Sequence, residues 1–344
     1  MRLLALVPAL LLAGAGSVWA LQNNAGTNTG EFLRIGAGAR ALGMGEAYGP
    51  VAEGPEALYW NPAGLVQLQR PEFSYTRSEF ATYLHHDFAA FARPGLGGAY
   101  GVAYTRQSQD SLPVVTNGNQ NLGTFSPHSD AIAVGYAYAF DLAGDGIGRV
   151  ENDVLDQRWS VPGVYRPLGH EKDLWTGSLL IGAAAKYISE SIYDASASAF
   201  AVDAGALFRP YDLERLSLSF AFHNVGSKER FINESESLPA EVDLGVAYDH
   251  RSDEYRLLPA FELSLPYYGN PSAKIGVEYS SARGAELSYA FRAGYKSLQA
   301  ADLGPLAGAT FGAGIRYKRV MADFGFEPMA GLGETYRITL GLGW

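Results

Sequence analysis

The stretch Glu241-Val242-Asp243-Leu244-Gly245-Val246-Ala247-Tyr248 alternates between two kinds of side chain. In an extended chain, two valines, a leucine and a tyrosine fall on one face, and glutamate, aspartate, glycine and alanine fall on the other. A period of two residues indicates a β-strand with one apolar and one polar face. This stretch therefore predicts a sheet whose two sides meet different surroundings.

The same alternation recurs from Thr176 to the C-terminus. A soluble β-sandwich would explain it equally well, because its strands also have one buried and one wet face. Strand length favours a membrane barrel, since these runs are about ten to thirteen residues long and a tilted membrane strand needs about ten. The polar face is also rich in small residues, and aromatic residues recur near strand ends, as an interfacial girdle requires. These aromatic residues are Tyr248, Tyr279, Tyr295, Tyr317 and Trp344.

We therefore predict an all-β fold, a transmembrane antiparallel β-barrel of about fourteen strands within residues 71–344. An even count returns the C-terminus to the side where the first strand begins, which is the periplasm in bacterial barrels. Residues 142–176 form a long connection where a short turn is expected, so they contain either an unrecognised hairpin or a periplasmic excursion. The predicted strands are 71–79, 86–93, 97–107, 130–141, 177–190, 196–209, 214–226, 239–250, 255–265, 272–281, 284–296, 307–318, 319–327 and 334–344.

The beginning of the chain predicts export. Arg2 is followed by an apolar run over 3–13 and by small residues that end at Val18-Trp19-Ala20, the pattern of a cleaved secretory signal peptide over residues 1–20. An uncleaved anchor is the alternative, but the apolar run is short for a membrane span. The chain has no cysteine and a net charge of −10, which argues against a disulfide framework and against a nucleic-acid partner.

Residues 21–70 do not alternate and are rich in small residues, so we predict that they form a separate hatch, or plug, in the barrel lumen. Such a segment cannot face lipid without partners for its backbone, but it can pack inside a lumen. A glycine-rich phosphate loop is the competing interpretation. It is disfavoured because no strand precedes the segment and no Gly-Lys-Ser/Thr follows it.

Three motifs within residues 30–65 resemble the N-terminal signature of the PorV/PorQ family, which is related to the FadL-type outer-membrane transporters. They are Phe32-Leu33-x-Ile35-Gly36, Ala39-Arg40-x-Leu42-Gly43-Met44-Gly45 and Tyr59-Trp60-Asn61-Pro62-Ala63-Gly64-Leu65. The resemblance implies a fourteen-stranded barrel with a hatch in its lumen. The hatch motif it marks comprises Phe32, Leu33, Gly36, Arg40, Gly43, Met44, Gly45, Trp60, Asn61, Pro62, Ala63 and Gly64.

The resemblance also implies that the protein moves or presents cargo at the outer membrane, by one of two mechanisms. A FadL-like barrel passes hydrophobic small molecules, which a loop pocket captures before the hatch shifts and the molecules leave through a gap in the wall. A PorV-like barrel serves type IX secretion, carrying secreted proteins from the translocon and contacting them through loops 108–129 and 227–238. The sequence does not separate the two mechanisms.

The C-terminal strand resembles the recognition signal of the barrel assembly machinery, which would make that machinery a partner. The signal residues are Tyr336, Leu340, Leu342 and the terminal Trp344. Arg337 supplies the polar position, but Thr339 stands where the signal often has glycine, so the match is partial. An ordinary last strand is the alternative.

Charged residues recur on the polar faces of the strands, and we interpret them as a lumen network that pairs across strands and holds the hatch. Paired catalytic acids are the alternative, but charges that face a wet interior of mixed sign do not require catalysis. The predicted lumen charges are Lys186, Asp203, Glu241, Asp243, Glu262, Lys274, Glu278, Glu286, Arg292, Arg316, Asp323 and Arg337.

Nothing in the sequence predicts an enzyme, a metal or a cofactor. His85 and His86 lie beside Asp87 in a predicted surface loop, where we expect them to be solvated. His223 is compatible with an outer-membrane lipase, but no Gly-x-Ser-x-Gly motif is present. A lipase-like barrel enzyme and a purely structural barrel therefore remain alternatives to transport.

The Asn-Pro step within the hatch motif carries a local structural prediction. Asn-Pro favours the start of a turn, and proline fixes its own φ. We therefore expect Asn61 and Pro62 to form a turn that positions the hatch against the first strand.

Overall fold

A computed structural model describes residues 28–344 except 81–82, 117, 144–145, 150–176, 214, 232–233 and 282–285. The predicted signal peptide, the beginning of the predicted hatch and most of the connection 142–176 lie outside the described residues. The expectations for those segments therefore stay predictions.

Fourteen antiparallel strands form a closed barrel, as the alternation predicts. Each strand pairs with its neighbour in sequence, and the last strand pairs with the first, so the barrel has no free edge. We number them β1 (Glu72–Phe80), β2 (Leu84–Gly95), β3 (Gly98–Gln109), β4 (His128–Ala143), β5 (Gly177–Ile192), β6 (Ala195–Pro210), β7 (Leu216–Gly226), β8 (Glu241–Tyr248), β9 (Tyr255–Pro266), β10 (Ser272–Ser281), β11 (Leu287–Lys296), β12 (Ala309–Tyr317), β13 (Val320–Pro328) and β14 (Glu334–Gly343).

The two faces of each strand differ in the way that a transmembrane barrel requires. In β14, Ile338 and Leu340 on the outer face are each more than half exposed, whereas Arg337 and Thr339 on the inner face are buried. Apolar side chains therefore point outwards and polar ones point inwards, the reverse of a soluble protein.

The five aromatic residues expected to form a girdle are all exposed to a similar degree. Four of them lie at the end of the barrel where β1 begins, and Tyr295 lies at the opposite end. We refer to the first end as the inner mouth and to the second as the outer mouth. In a bacterial barrel the termini lie on the periplasmic side, so the inner mouth would face the periplasm.

Short secondary-structure elements lie at both mouths of the barrel. At the outer mouth, the strands Leu112–Val115 and Asn121–Phe125 form one hairpin, Glu229–Phe231 and Glu234–Glu236 form another, and the helix Ser297–Leu303 precedes a 3-10 turn at Pro305–Gly308. Further 3-10 turns lie at Tyr211–Leu213 and Ala330–Leu332, and the short strand His250–Arg251 pairs with β9. Among the described residues, no helix is long and apolar enough to cross a membrane.

The irregular connection after β4 begins as a hairpin. Residues Gly146–Arg149 form a short strand that pairs antiparallel with the end of β4, where Phe140 lies opposite Arg149. Because most of residues 142–176 lie outside the described residues, both alternatives for this connection stay open.

The N-terminal segment, residues 28–70, contains short helical turns rather than strands. Helices span Ala39–Gly43 and Ala57–Trp60, and 3-10 turns span Glu31–Arg34, Gly49–Val51 and Pro62–Gln67. A barrel of fourteen strands is wider than the eight-stranded barrels that side chains alone can fill. The helical turns of the N-terminal segment are rich in small residues, so they are compact enough to occupy such an interior.

We predict that a charge on the outer face of β4 destabilises the barrel far more than the same charge in a loop. Val134 lies in the middle of β4 and is 60% exposed, so its side chain would meet acyl chains. Val134→Arg should lower the free energy of unfolding in lipid vesicles by about 2–4 kcal/mol.

Val115→Arg is the matched control, because Val115 is 50% exposed but lies on the outer hairpin. A surface change of this kind should alter the free energy of unfolding by about 0.5 kcal/mol or less. Denaturant titration of both refolded variants measures the difference. Equal losses in the two variants would contradict a lipid-facing β4.

Candidate functional site in the barrel interior

The N-terminal segment contacts the inner face of the barrel through three helical turns. Residues Ala39–Gly43 pack against β11 to β14, residues Gly49–Val51 against β7 to β9, and residues Pro62–Gln67 against β2 to β6. The three turns together reach twelve of the fourteen strands. The segment is therefore the structural centre of the barrel interior.

Glycines on the inner face let the segment approach the wall closely. A Cβ at Gly182 of β5 would overlap the backbone of Pro62 and Ala63, and a Cβ at Gly276 of β10 would overlap the backbone of Met44. Gly205, Gly294 and Gly312 have similar close neighbours in the segment. From the sequence alone, these glycines are only part of a polar face rich in small residues. The structure shows that their inward positions are where the segment contacts the wall.

Asn61 joins the segment to the wall. Its side chain is fully buried, accepts a hydrogen bond from the Ala63 amide at 3.1 Å, and donates to the carbonyl oxygens of Ala206 at 3.2 Å and Phe220 at 3.4 Å. Asn61 thus caps the turn Pro62–Gln67, as the Asn-Pro step predicts. The expected docking against the first strand is wrong, because its partners lie on β6 and β7.

Trp60 occupies the centre of the apolar core that the segment forms with the wall. Its indole Nε1 donates to the Ala37 carbonyl at 2.7 Å, and its ring makes edge contacts with Tyr48 and Tyr59 at centroid distances of 5.9 and 4.8 Å. The Lys274 ammonium lies 5.6 Å from the same ring. Buried positions of the hatch motif are Phe32, Leu33, Gly36, Gly43, Met44, Gly45, Trp60, Asn61, Pro62, Ala63 and Gly64.

Arg40, the charged residue of the hatch motif, joins an ion-pair chain that crosses from the segment to the wall. Its guanidinium pairs with Glu53 within the segment and binds Glu278 of β10 at 2.7 and 3.0 Å. Arg292 of β11 binds the same glutamate at 2.6 Å and Asp323 of β13 at 2.5 Å. The side chains from Arg40 to Asp323 are nearly buried, so each charge depends on its neighbours.

A second set of ion pairs holds the segment near the outer mouth. Glu46 lies 2.8 Å from Arg337 of β14 and 3.5 Å from Lys296 of β11, and Lys296 also pairs with Glu327 of β13 at 2.6 Å. All four side chains are at most one-tenth exposed. Glu46 is therefore the negative partner of two wall cations.

Glu262 of β9 binds the backbone of the N-terminal segment. Its carboxylate accepts a hydrogen bond from the Gly49 amide at 2.6 Å and pairs with Lys274 of β10 at 3.2 Å. The carboxylate thus satisfies an amide at the start of a 3-10 turn that has no side-chain cap of its own.

His223 lies between two buried carboxylates of the wall. Its Nδ1 is 3.5 Å from Asp203 of β6 and its Nε2 is 3.3 Å from Asp243 of β8, while Lys186 of β5 approaches Asp203 at 2.5 Å. Ser264 hydrogen-bonds to Asp243 and not to the imidazole. The imidazole therefore bridges two acids and does not activate a serine, which argues against the lipase-like alternative.

Eleven of the twelve predicted lumen charges lie at inward positions of the strands, and Glu286 does not. Glu286 precedes β11, its side chain is 68% exposed, and it lies 3.6 Å from Lys318 at the inner mouth. Its placement in a longer strand, 284–296, was wrong because β11 begins at Leu287. Glu241 and Arg316 lie at inward positions but are only half-buried.

The expectation that His85 and His86 are solvated in a loop is wrong for His86. Both belong to β2, and His86 points inwards and is fully buried, with no hydrogen-bond partner for either ring nitrogen among the described residues. His85 is half-buried and contacts Glu79 at 2.5 Å. Within the described part of the chain, no three metal-binding side chains converge.

The residues that resemble the assembly signal all lie on the outer face of the last strand or at its end. Tyr336, Leu340, Leu342 and Trp344 are each about a third to a half exposed. The Trp344 ring also stacks on Phe91 of β2 at a centroid distance of 5.7 Å. Recognition of this strand by the assembly machinery stays a prediction.

A cavity of about 680 Å³ opens at the outer mouth. Residues 28–32 of the segment form one of its walls, and the ends of β2 to β5 and the hairpin 229–236 form the others. Phe32 belongs to a buried apolar cluster with Leu33, Ile188 and Leu238 beneath the cavity. A smaller cavity of about 140 Å³ lies between Arg40 and the wall near the inner mouth. Of these two cavities, only the outer one has room for a sizeable organic molecule.

Comparison with solved structures identifies the same fold in outer-membrane proteins. The chain is similar to a Pseudomonas aeruginosa FadL homologue, with a TM-score of 0.50 and 11% identity over 90% of this chain and 98% of that one. It is also similar to the Pseudomonas putida toluene transporter TodX, with a TM-score of 0.49 and 12% identity over 90% of this chain and 97% of that one. No protein-family model matches the sequence, and no curated protein matches it.

We predict that filling an inward glycine displaces the N-terminal segment. Gly182→Leu would place a side chain into the backbone of Pro62 and Ala63, and it should lower the free energy of unfolding by about 1–3 kcal/mol. Ala183→Leu is the matched control, because Ala183 is the next residue of β5 and faces outwards. Denaturant titration and protease digestion test the pair. A Gly182→Leu barrel as stable and protease-resistant as Ala183→Leu would contradict close docking at β5.

We also predict that Glu278 contributes more to stability than Glu286. Glu278→Gln leaves Arg40 and Arg292 without their shared carboxylate and should cost about 3–5 kcal/mol of unfolding free energy. Glu286→Gln removes an exposed charge and should cost about 0.5 kcal/mol or less. Equal costs in denaturant titration would refute the ion-pair chain.

Proposed function

We propose that this chain is an outer-membrane transporter for hydrophobic small molecules and that residues 28–70 are its hatch. The observation that carries the proposal is the outer cavity, whose inner wall is formed by the hatch itself. A molecule held there contacts the segment that has to move before anything passes the barrel. Binding and opening are thereby coupled through residues 28–32.

The contacts of the hatch support a closed resting state. Its turns reach almost every strand, and its ion pairs to Glu278, Arg337 and Lys296 join it to β10, β11 and β14. Hydrated ions would have to break these buried pairs to cross. Along β2 to β6 the segment instead covers alanine-rich inner faces, so a hydrophobic solute that displaced the turn there would meet small apolar side chains.

The apolar outer surface supports a bilayer location, and the FadL-type fold supports the outer membrane. Lipid is then the solvent of the outer face, and the signal peptide and the barrel assembly machinery are the expected export route. The signal peptide and the role of the assembly machinery are inferred from the sequence patterns alone.

A role in type IX secretion is the second candidate. It is favoured by the motif resemblance and by two exposed apolar side chains on the hairpin beyond the outer mouth, Val115 and Leu122. A protein partner would cover both. Co-purification of a secreted protein or a translocon component, lost in a Val115→Ser/Leu122→Ser double variant, would support this role.

We predict that cells expressing the intact chain take up a radiolabelled aromatic hydrocarbon faster than cells with an empty vector, with no change in uptake of a sugar of similar size. Deleting residues 30–68 should raise sugar uptake, because the hatch would no longer fill the lumen. Heat-dependent gel mobility establishes that the shortened barrel is folded.

Two outcomes would contradict the proposal. Hydrocarbon uptake no faster than in the vector control would remove the transport function. A folded barrel without residues 30–68 that still excludes the sugar would show that the segment is not a plug.

A further inference from the structure

The outer cavity has an unusual charge balance for a site that takes hydrophobic molecules. Its described lining includes four glutamates, Glu31, Glu190, Glu229 and Glu236, and no lysine or arginine. His128 is the one other ionisable side chain of this lining, and it lies 3.9 Å from Asp130. A carboxylate ligand such as a fatty acid would therefore meet like charge.

Two of these glutamates compete for one hydroxyl. The Thr29 hydroxyl lies 2.6 Å from a Glu229 oxygen and 2.9 Å from a Glu190 oxygen. A threonine hydroxyl has one hydrogen to donate, so only one of the two carboxylates receives it. Glu190 also accepts hydrogen bonds from the Ser129 hydroxyl at 2.9 Å and from the Gly30 amide at 3.4 Å, but all of these donors are neutral. An additional positive charge or proton is needed to balance this arrangement.

Glu229 also has an oxygen with no partner. Its side chain is only 1% exposed, yet Oε1 has no hydrogen-bond donor within reach among the described residues. Burial raises the pKa of Glu229, and the neighbouring Glu190 carboxylate raises it further. A buried, unpaired carboxylate oxygen beside a cavity is a place for a donor from outside the chain.

The rest of the cavity suits an apolar body. Phe32 lies in its floor, and Leu84 and Ile192 line its sides. The volume of about 680 Å³ lies within the range of about 300–1,000 Å³ that is typical of small-molecule sites. The site therefore combines an acidic pair with an apolar compartment.

We propose that the outer cavity binds hydrophobic molecules that carry a protonated amine, and that Glu190 and Glu229 hold the ammonium group. An ammonium group has three N–H donors, which suffice for the unpartnered Glu229 oxygen and for Glu190. The apolar part of the ligand packs on Phe32 and contacts the hatch. This inference rests on the proposed transport function and specifies the class of molecule transported.

Native mass spectrometry of the full chain in neutral detergent tests the inference with three probes of equal chain length: decylamine, decanol and decanoate. Decylamine should bind at least about tenfold more tightly than decanoate, because its ammonium group makes charge-assisted hydrogen bonds to the two glutamates, whereas the decanoate carboxylate meets like charge. Glu229→Gln and Glu190→Gln should each reduce that preference, whereas Glu286→Gln, at the inner mouth, should leave it unchanged.

The other outcomes overturn the inference in distinguishable ways. Equal binding of the three probes, with hydrocarbon uptake intact, would leave the transporter in place and remove the amine preference. Binding of calcium ions that displaces decylamine and is lost in Glu229→Gln would make the acidic pair a metal site. Absence of both probe binding and hydrocarbon uptake would refute the proposed function itself.

Discussion

The close approach between the backbone of the N-terminal segment and the inner wall is the constraint on which the rest of this structure depends. A fourteen-stranded barrel leaves an interior that wall side chains do not fill. The segment fills it only because inward glycines on β5, β6, β10, β11 and β12 leave room for the backbone of residues 43–63. Asn61 shows the consequence, since its amide hydrogen-bonds directly to carbonyl groups of β6 and β7.

Buried ion pairs are the second feature that organises the barrel interior. Pairs such as Arg40–Glu278 and Glu46–Arg337 are costly to bury individually, and such pairs contribute more to a specific arrangement than to net stability. Here they define how the segment is seated, because each pair has one member on the segment and one on the wall. Under the proposed function, the same arrangement would let the segment move. Ion pairs that separate in a wet lumen can exchange their partners for water, which an apolar contact does not do.

The outer mouth differs from this balanced interior. Its acidic pair, Glu190 and Glu229, accepts hydrogen bonds from the hydroxyls of Thr29 and Ser129, and the described lining of the cavity has no lysine or arginine. A few residues along β5 from Glu190, by contrast, Lys186 pairs with Asp203. The proposed ligand site thus lies beside the first described residues of the N-terminal segment. Under the proposed function, ligand recognition and the position of this segment would share residues 28–32.

The sequence by itself determined the strands and their two faces, because a strand between lipid and water repeats that contrast at every second residue. Strand length and the aromatic residues near strand ends then favoured a membrane barrel over a soluble sandwich. The sequence also marked the N-terminal segment as different and identified most inward charges. The sequence did not predict that β11 begins only after Glu286, or that the side chain of His86 points inwards. The reason is that a strand end and the loop next to it have the same local pattern. Only the tertiary structure decided that Asn61 meets β6 and β7, that Arg40 shares Glu278 with Arg292, and that Thr29 lies between Glu190 and Glu229. Apart from the pair Glu278–Arg292 on neighbouring strands, these contacts join residues more than a hundred positions apart, and they depend on how the closed wall surrounds the segment.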